Sequence, residues 1–102
     1  MNNKQRKEYL ERTIFQTEIE NITTDDFIDT YKNYGFIING FFSDLYFIRI
    51  VIYRLNDNND LIKVYENDYI EEIYEIFGKN LKDNSRNTVK SKVKNFIKTY
   101  LE

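Results

Sequence analysis

At 102 residues, with 41% hydrophobic and 31% charged side chains, the chain has the composition of one globular domain, not of a disordered segment. It contains no Cys, His, Trp, Pro or Ala, which excludes a disulfide framework and the usual ligand sets for zinc, haem and iron–sulfur centres. The formal net charge is −2, so neither a strongly basic nor a strongly acidic balance defines it as a whole.

Residues 4 to 20 place Tyr9, Leu10, Ile14, Phe15 and Ile19 at helical spacing, and an N-terminal helix follows. The stretch "TTDDFIDTYKNYG" then reads as a second helix, over residues 24 to 34. Thr23 or Thr24 can cap it, Asp25, Asp26 and Asp29 lie in its first turns, and Gly35 supplies a left-handed stop. On that reading Phe27, Ile28, Tyr31 and Tyr34 form its core face.

From Phe36 the period changes to two. Residues 45 to 55 carry Tyr46, Ile48, Ile50 and Ile52 on one side and Leu45, Phe47, Val51 and Leu55 on the other, with Arg49 among the latter. Apolar character on both sides marks a central strand, flanked by a strand within 36 to 42 and another at 61 to 66. The run from Phe36 to Leu55 is long enough to raise a membrane span. Asp44 and Arg49 would each cost about 2.5 to 3.5 kcal/mol near a bilayer centre, so buried strands are the better reading.

Asn67 or Asp68 next caps a short helix with Ile70, Ile73, Tyr74 and Phe77 inward, Glu71, Glu72 and Glu75 outward, and Gly78 at its end. A polar connector leads to a last helix whose Val89, Val93, Phe96, Ile97, Tyr100 and Leu101 form the apolar stripe. The expected fold is therefore a single α+β domain, residues 1–102, with a three-stranded antiparallel meander in the order α-α-β-β-β-α-α.

No P-loop, GxGxxG, GxSxG, HExxH or SxxK motif is present, and without His or Cys the expectation is a protein that is not an enzyme and takes no cofactor. The stretch "LNDNNDL", residues 55 to 61, comes nearest to a metal loop. A calcium loop counted from Asn56 needs Gly where Leu61 stands and Glu where Asn67 stands, so a turn rich in Asn and Asp is the better reading and no metal site is expected. The charged start, "MNNKQRKEYLERT", has no apolar h-region, from which a cytoplasmic location follows. The wealth of Asn, Ile, Lys, Tyr and Phe tracks AT-rich codons and suggests a low-GC bacterium, its phage or its plasmid.

Charge is sharply partitioned. Residues 1 to 12 sum to +2, residues 13 to 78 to −9 and residues 79 to 102 to +5. Two candidate surfaces follow. The acidic one comprises Asp25, Asp26, Asp29, Asp57, Asp60, Glu66, Asp68, Glu71, Glu72 and Glu75, whose rows of carboxylates could imitate a phosphate backbone and enter a basic cleft. The basic one comprises Arg86, Lys90, Lys92, Lys94 and Lys98 on the last helix, which could grip DNA or RNA phosphates directly. Plain helix-dipole complementation and solubility account for either row equally well.

The segment from Ile48 to Asn80, "IRIVIYRLNDNNDLIKVYENDYIEEIYEIFGKN", runs long strand, Asn/Asp-rich turn, short strand, "EN" cap and acidic helix. In that pattern it resembles small phage-encoded anti-CRISPR proteins of the αβββαα kind, which inhibit a CRISPR nuclease by mimicking DNA. The resemblance covers about a third of the chain and implies a non-enzymatic inhibitor whose partner is a bacterial nucleic-acid-handling protein. The basic C-terminal helix departs from a pure DNA mimic. In topology alone the chain is also similar to double-stranded-RNA-binding domains, with a helix at 24 to 34, three strands and a lysine-bearing helix, which implies direct nucleic-acid binding as the alternative. A third reading is an oligomerising structural protein that uses its tyrosine-rich surface; the oligomeric state itself is open.

Overall fold

Alternation of period two begins earlier in the chain than residue 36. In the computed structural model, which describes residues 1–22, 26–41, 46–77 and 86–102, the segment expected to be a second helix is extended. Strand β1 (Phe27–Tyr31) turns through Lys32 and Asn33 into β2 (Tyr34–Phe41), and Tyr31 pairs with Tyr34 across the turn. Lys32 takes the left-handed backbone that this tight reversal needs, at φ 53. β3 (Tyr46–Leu55) and β4 (Leu61–Asn67) complete one antiparallel sheet in the order β1-β2-β3-β4. The sheet has four strands, not three, and the three α-helices among the described residues are α1 (Asn3–Thr17), α2 (Ile70–Phe77) and α3 (Arg86–Phe96).

The correction has a physical cause. Asp26 and Asp29, which suggested a helix N-terminus, bond across the sheet and to other helices, while Ile28, Thr30, Tyr31 and Tyr34 are β-branched or aromatic residues suited to a pleated surface. Gly35 is no helix stop. It lies in β2 beneath α1, where an added Cβ would approach Ile14 Cδ1 to 2.5 Å and Leu10 Cδ2 to 3.4 Å. The missing side chain lets the helix seat on the strand.

Both faces of the sheet are covered, as the two-sided apolar pattern of β3 requires. Phe36, Ile38, Ile50 and Ile52 meet Ile73 and Phe77 of α2 and Val89, Val93 and Ile97 of the last helix, all buried. At about 1.5–3 kcal/mol for each fully buried side chain, this larger core supplies most of the stabilisation. On the other face Ile37, Val51 and Tyr53 pack with Ile14, beside the buried Leu10. α1 starts with a capping box, Asn2 accepting from the Gln5 N–H at 2.8 Å while Gln5 accepts from the Asn2 N–H at 3.1 Å.

Both sheet edges are blunted. On β1, Asp29 draws lysines from two helices over the strand. On β4 the register slips between Ile52 and Tyr53, which face Tyr65 and Lys63, so Val64 has no opposite number and the strand bulges. The last helix ends in one wide π turn, Ile97–Leu101, closed by the Glu102 N–H donating to the Ile97 carbonyl at 2.8 Å. It is held to the β1–β2 turn, where Tyr34 donates to the Leu101 carbonyl at 2.7 Å and Lys32 pairs with Glu102. No helix among the described residues is long and apolar enough to cross a membrane.

Candidate functional site

The "LNDNNDL" stretch is the β3–β4 turn. Asn56 Oδ1 accepts from the N–H groups of Asn58 and Asp60, both at 2.9 Å, and Asn59 stands in the left-handed region at φ 63. The backbone needs of the turn are met by Asn56, so the Asp57 and Asp60 carboxylates are left pointing to solvent.

At the opposite end of β4, Asn67 is buried and accepts from the Tyr69 N–H at 2.9 Å, fixing the entry into α2. Asp68, Glu71, Glu72 and Glu75 are all exposed there, and Tyr69 donates to the Glu71 carboxylate at 3.1 Å. Seven residues of strand separate these two acidic stations, a span of roughly 20 Å. No ion pair forms at Asp57, Asp60, Asp68, Glu71, Glu72 or Glu75 among the described residues.

The other acids of the expected surface are used up inside the fold. Asp25 lies outside the described residues. Asp26 accepts from Asn39 Nδ2 at 2.7 Å and from the Gly40 N–H at 3.0 Å, pinning the start of β1 to the bulge in β2. Asp29 is only 8% exposed and faces Lys7 of α1 at 3.1 Å and Lys94 of α3 at 3.2 Å, with Lys90 at 4.0 Å. Burial opposes its ionisation, but the Thr30 N–H and the ammoniums of Lys7 and Lys94 outweigh burial and hold the carboxyl below the usual range. Glu66 pairs with Arg49 at 2.9 Å and Lys63 at 3.2 Å.

The basic row is divided in the same way. Lys90 and Lys94 turn toward Asp29, and Lys90 also lies over the Phe27 ring, 5.7 Å from its centroid. Lys98 is exposed near Glu102. Lys92 stands on another flank of α3, lining a groove against α2. The Arg86 side chain lies outside the described residues.

Sequence reasoning missed the most elaborate polar cluster. Arg49, at the middle of β3 and facing α1, spends all five N–H donors. Nη1 donates to Glu18 Oε2 at 2.8 Å and Asn39 Oδ1 at 2.9 Å, Nη2 to Glu18 Oε1 at 3.3 Å and Glu66 Oε2 at 2.9 Å, and Nε to Glu66 Oε2 at 3.1 Å. Glu18, at the end of α1, also accepts from the Tyr53 hydroxyl. Burial works against its charge, yet Arg49 and Tyr53 hold its carboxyl low, while burial and the Glu18 charge push the Tyr53 phenol up. The signal available beforehand was a lone Arg in an apolar strand, which demands a buried acid partner. Every bond just described is internal to the chain, so the chemistry of the cluster is that of a clamp.

No three potential ligand side chains converge to hold a metal ion among the described residues. No family model, curated protein or solved structure matches the chain.

Proposed function

We propose that the protein is a non-enzymatic inhibitor of phage or mobile-element origin that acts in the host cytoplasm. It binds a bacterial nucleic-acid-handling protein, of the CRISPR-effector kind, and blocks its substrate channel with acidic surfaces. The observation that carries this reading is the fate of the charges. Six carboxylates, at the β3–β4 tip and on or just before α2, are exposed and make no ion pair among the described residues, whereas Lys90 and Lys94 of the rival basic row are drawn toward Asp29. The acidic surface narrows to Asp57, Asp60, Asp68, Glu71, Glu72 and Glu75. Two stations separated by about 20 Å give such a surface reach along a Lys/Arg-lined channel, with attraction that is long-ranged and salt-sensitive.

The likeness to double-stranded-RNA-binding domains loses its first helix, because residues 27–31 and 34–41 are strands. Residues 46–77 run strand, turn, strand, helix, the order on which the likeness to anti-CRISPR proteins was drawn, while the four-stranded sheet departs from the three strands of that pattern.

Electrophoretic mobility shift of labelled duplex DNA and RNA at low salt, paired with capture of a purified CRISPR nuclease, tests the reading. Absence of a shift, with capture lost when Glu71, Glu72 and Glu75 become Lys, is the expected result. Submicromolar nucleic-acid binding that fails in a Lys90→Ala, Lys94→Ala variant overturns it in favour of direct binding.

A further inference from the structure

Two large apolar side chains stand bare where β4 hands over to α2: Tyr69 is 60% exposed and Ile70 41%. Tyr69 is nonetheless fixed at three points. Its N–H donates to Asn67 Oδ1 at 2.9 Å, its carbonyl accepts from the Ile73 N–H at 3.0 Å, and its hydroxyl donates to Glu71 Oε2 at 3.1 Å. Asn67 is itself buried and donates through Nδ2 to the Tyr65 hydroxyl at 2.8 Å, and the Tyr65 ring packs on Phe96, at 4.8 Å between centroids, and on Phe77. An exposed ring is thus anchored to the larger core.

The charge around that ring has one sign. Asp68, Glu71 and Glu72 are exposed and make no ion pair among the described residues, and Glu71 Oε1 takes no hydrogen bond among them. The face of an aromatic ring is negative in its own right, and the bond from the phenol to a carboxylate polarises it further in the same direction. An apolar occupant would leave the carboxylates uncompensated, and an anionic one would be repelled by them. The occupant that suits both is a flat, weakly hydrated cation. Arginine stacks its guanidinium on an aromatic ring and keeps in-plane N–H donors for a carboxylate, whereas the lysine ammonium is a compact, strongly hydrated point charge.

We propose that Tyr69, with Glu71 and Asp68 beside it, is a receptor for an arginine side chain of the partner protein. The ring supplies the selectivity of the acidic surface and the carboxylates supply its long-range attraction. The assignment rests on the function proposed above, in which the partner offers arginines that otherwise hold nucleic acid. A ring already fixed loses little freedom when it is covered, and tyrosine and arginine are enriched among interface hot spots.

Titration of the full chain with capped hexa-arginine and hexa-lysine peptides, followed by nuclear magnetic resonance of the Tyr69 ring, tests it. At equal salt the arginine peptide should bind about threefold to tenfold tighter, with its side-chain protons shifted upfield by the ring. Tyr69→Leu, which keeps apolar bulk and the backbone bonds, should remove that difference, and Tyr69→Phe, which keeps the ring, should retain most of it. With a purified CRISPR nuclease as the probe, Tyr69→Leu should weaken capture by a similar factor at an unchanged far-ultraviolet circular dichroism spectrum. Equal affinity of the two peptides for the wild type, or a preference that survives Tyr69→Leu, overturns the receptor. Nuclease capture indifferent to Tyr69→Leu also overturns it and leaves the inhibitory reading standing. An arginine preference that needs the Tyr69 ring, without nuclease capture, upholds the receptor and removes the inhibitory reading.

Discussion

The acids around Arg49 and Asp29 and the acids of the β3–β4 tip and α2 belong to the same −9 segment, yet the fold puts them to opposite uses. Glu18, Asp26, Asp29 and Glu66 are bonded to groups on other elements, where they tie α1, β2 and α3 to the sheet. Asp57, Asp60, Asp68, Glu71, Glu72 and Glu75 face water. The difference teaches that a charge count along a chain measures composition, while the surface field depends on which charges the fold has already neutralised.

Substitution should separate the two groups by the size of its effect. The largest is expected for Arg49→Ala, which strands Glu18 as a buried carboxylate. A loss of about 3–5 kcal/mol, measured by urea denaturation, follows from breaking a buried pair. Replacing Arg49 and Glu18 together by Leu and Met should cost much less than Arg49→Ala alone; an equal cost would remove the clamp reading.

Asp29→Asn comes next, at about 1–2 kcal/mol. Its carboxylate is sheltered, but its lysine partners are partly solvated and can recover hydration. The same residues set the acid limb of the stability curve. Asp29 and Glu18 have folded-state pKa values below their unfolded ones, so their contribution is complete above the unfolded values, about 4, and is lost as pH falls through the folded ones. Thermal unfolding of the wild type should be flat from neutral pH to about 5 and fall steeply below 4; Asp29→Asn should flatten that fall. An unchanged acid limb in Asp29→Asn would contradict its assignment.

The smallest effect on stability is expected at the exposed acids. Glu71→Lys, Glu72→Lys and Glu75→Lys should each change stability by less than about 0.5 kcal/mol in the same denaturation assay. These are also the substitutions expected to abolish capture of the target. A large loss of stability there would erase the contrast between the two groups.

The strongly periodic elements were legible in the sequence. The two-sided apolar run that became β3 and the buried Ile73 and Phe77 of α2 lie where their spacing put them, whereas Ile70 and Tyr100, expected on apolar stripes, are exposed. The β1–β2 hairpin was not legible, because Thr and Asp before a Phe-Ile pair are the signals of a helix cap, and only the partners of Asp26 and Asp29 decide otherwise. Gly35 misled for a related reason. A glycine needed for close helix–strand approach looks the same in sequence as one needed for a left-handed stop. At the acidic surface the residues were identifiable but their accessibility was not, since pairing of Asp29 with Lys7 and Lys94 joins positions that are 22 and 65 apart in the chain.

That last pairing bears on how the molecule comes apart. α1 lies on one face of the sheet and α3 on the other, so they share little packing, but each sends a lysine to the one Asp29 carboxylate on β1. Fraying of one terminal helix therefore withdraws a counter-charge from the anchor of the other. Amide exchange in α1 and α3 should rise together in Asp29→Asn, because the two ends of the chain open as one cooperative unit.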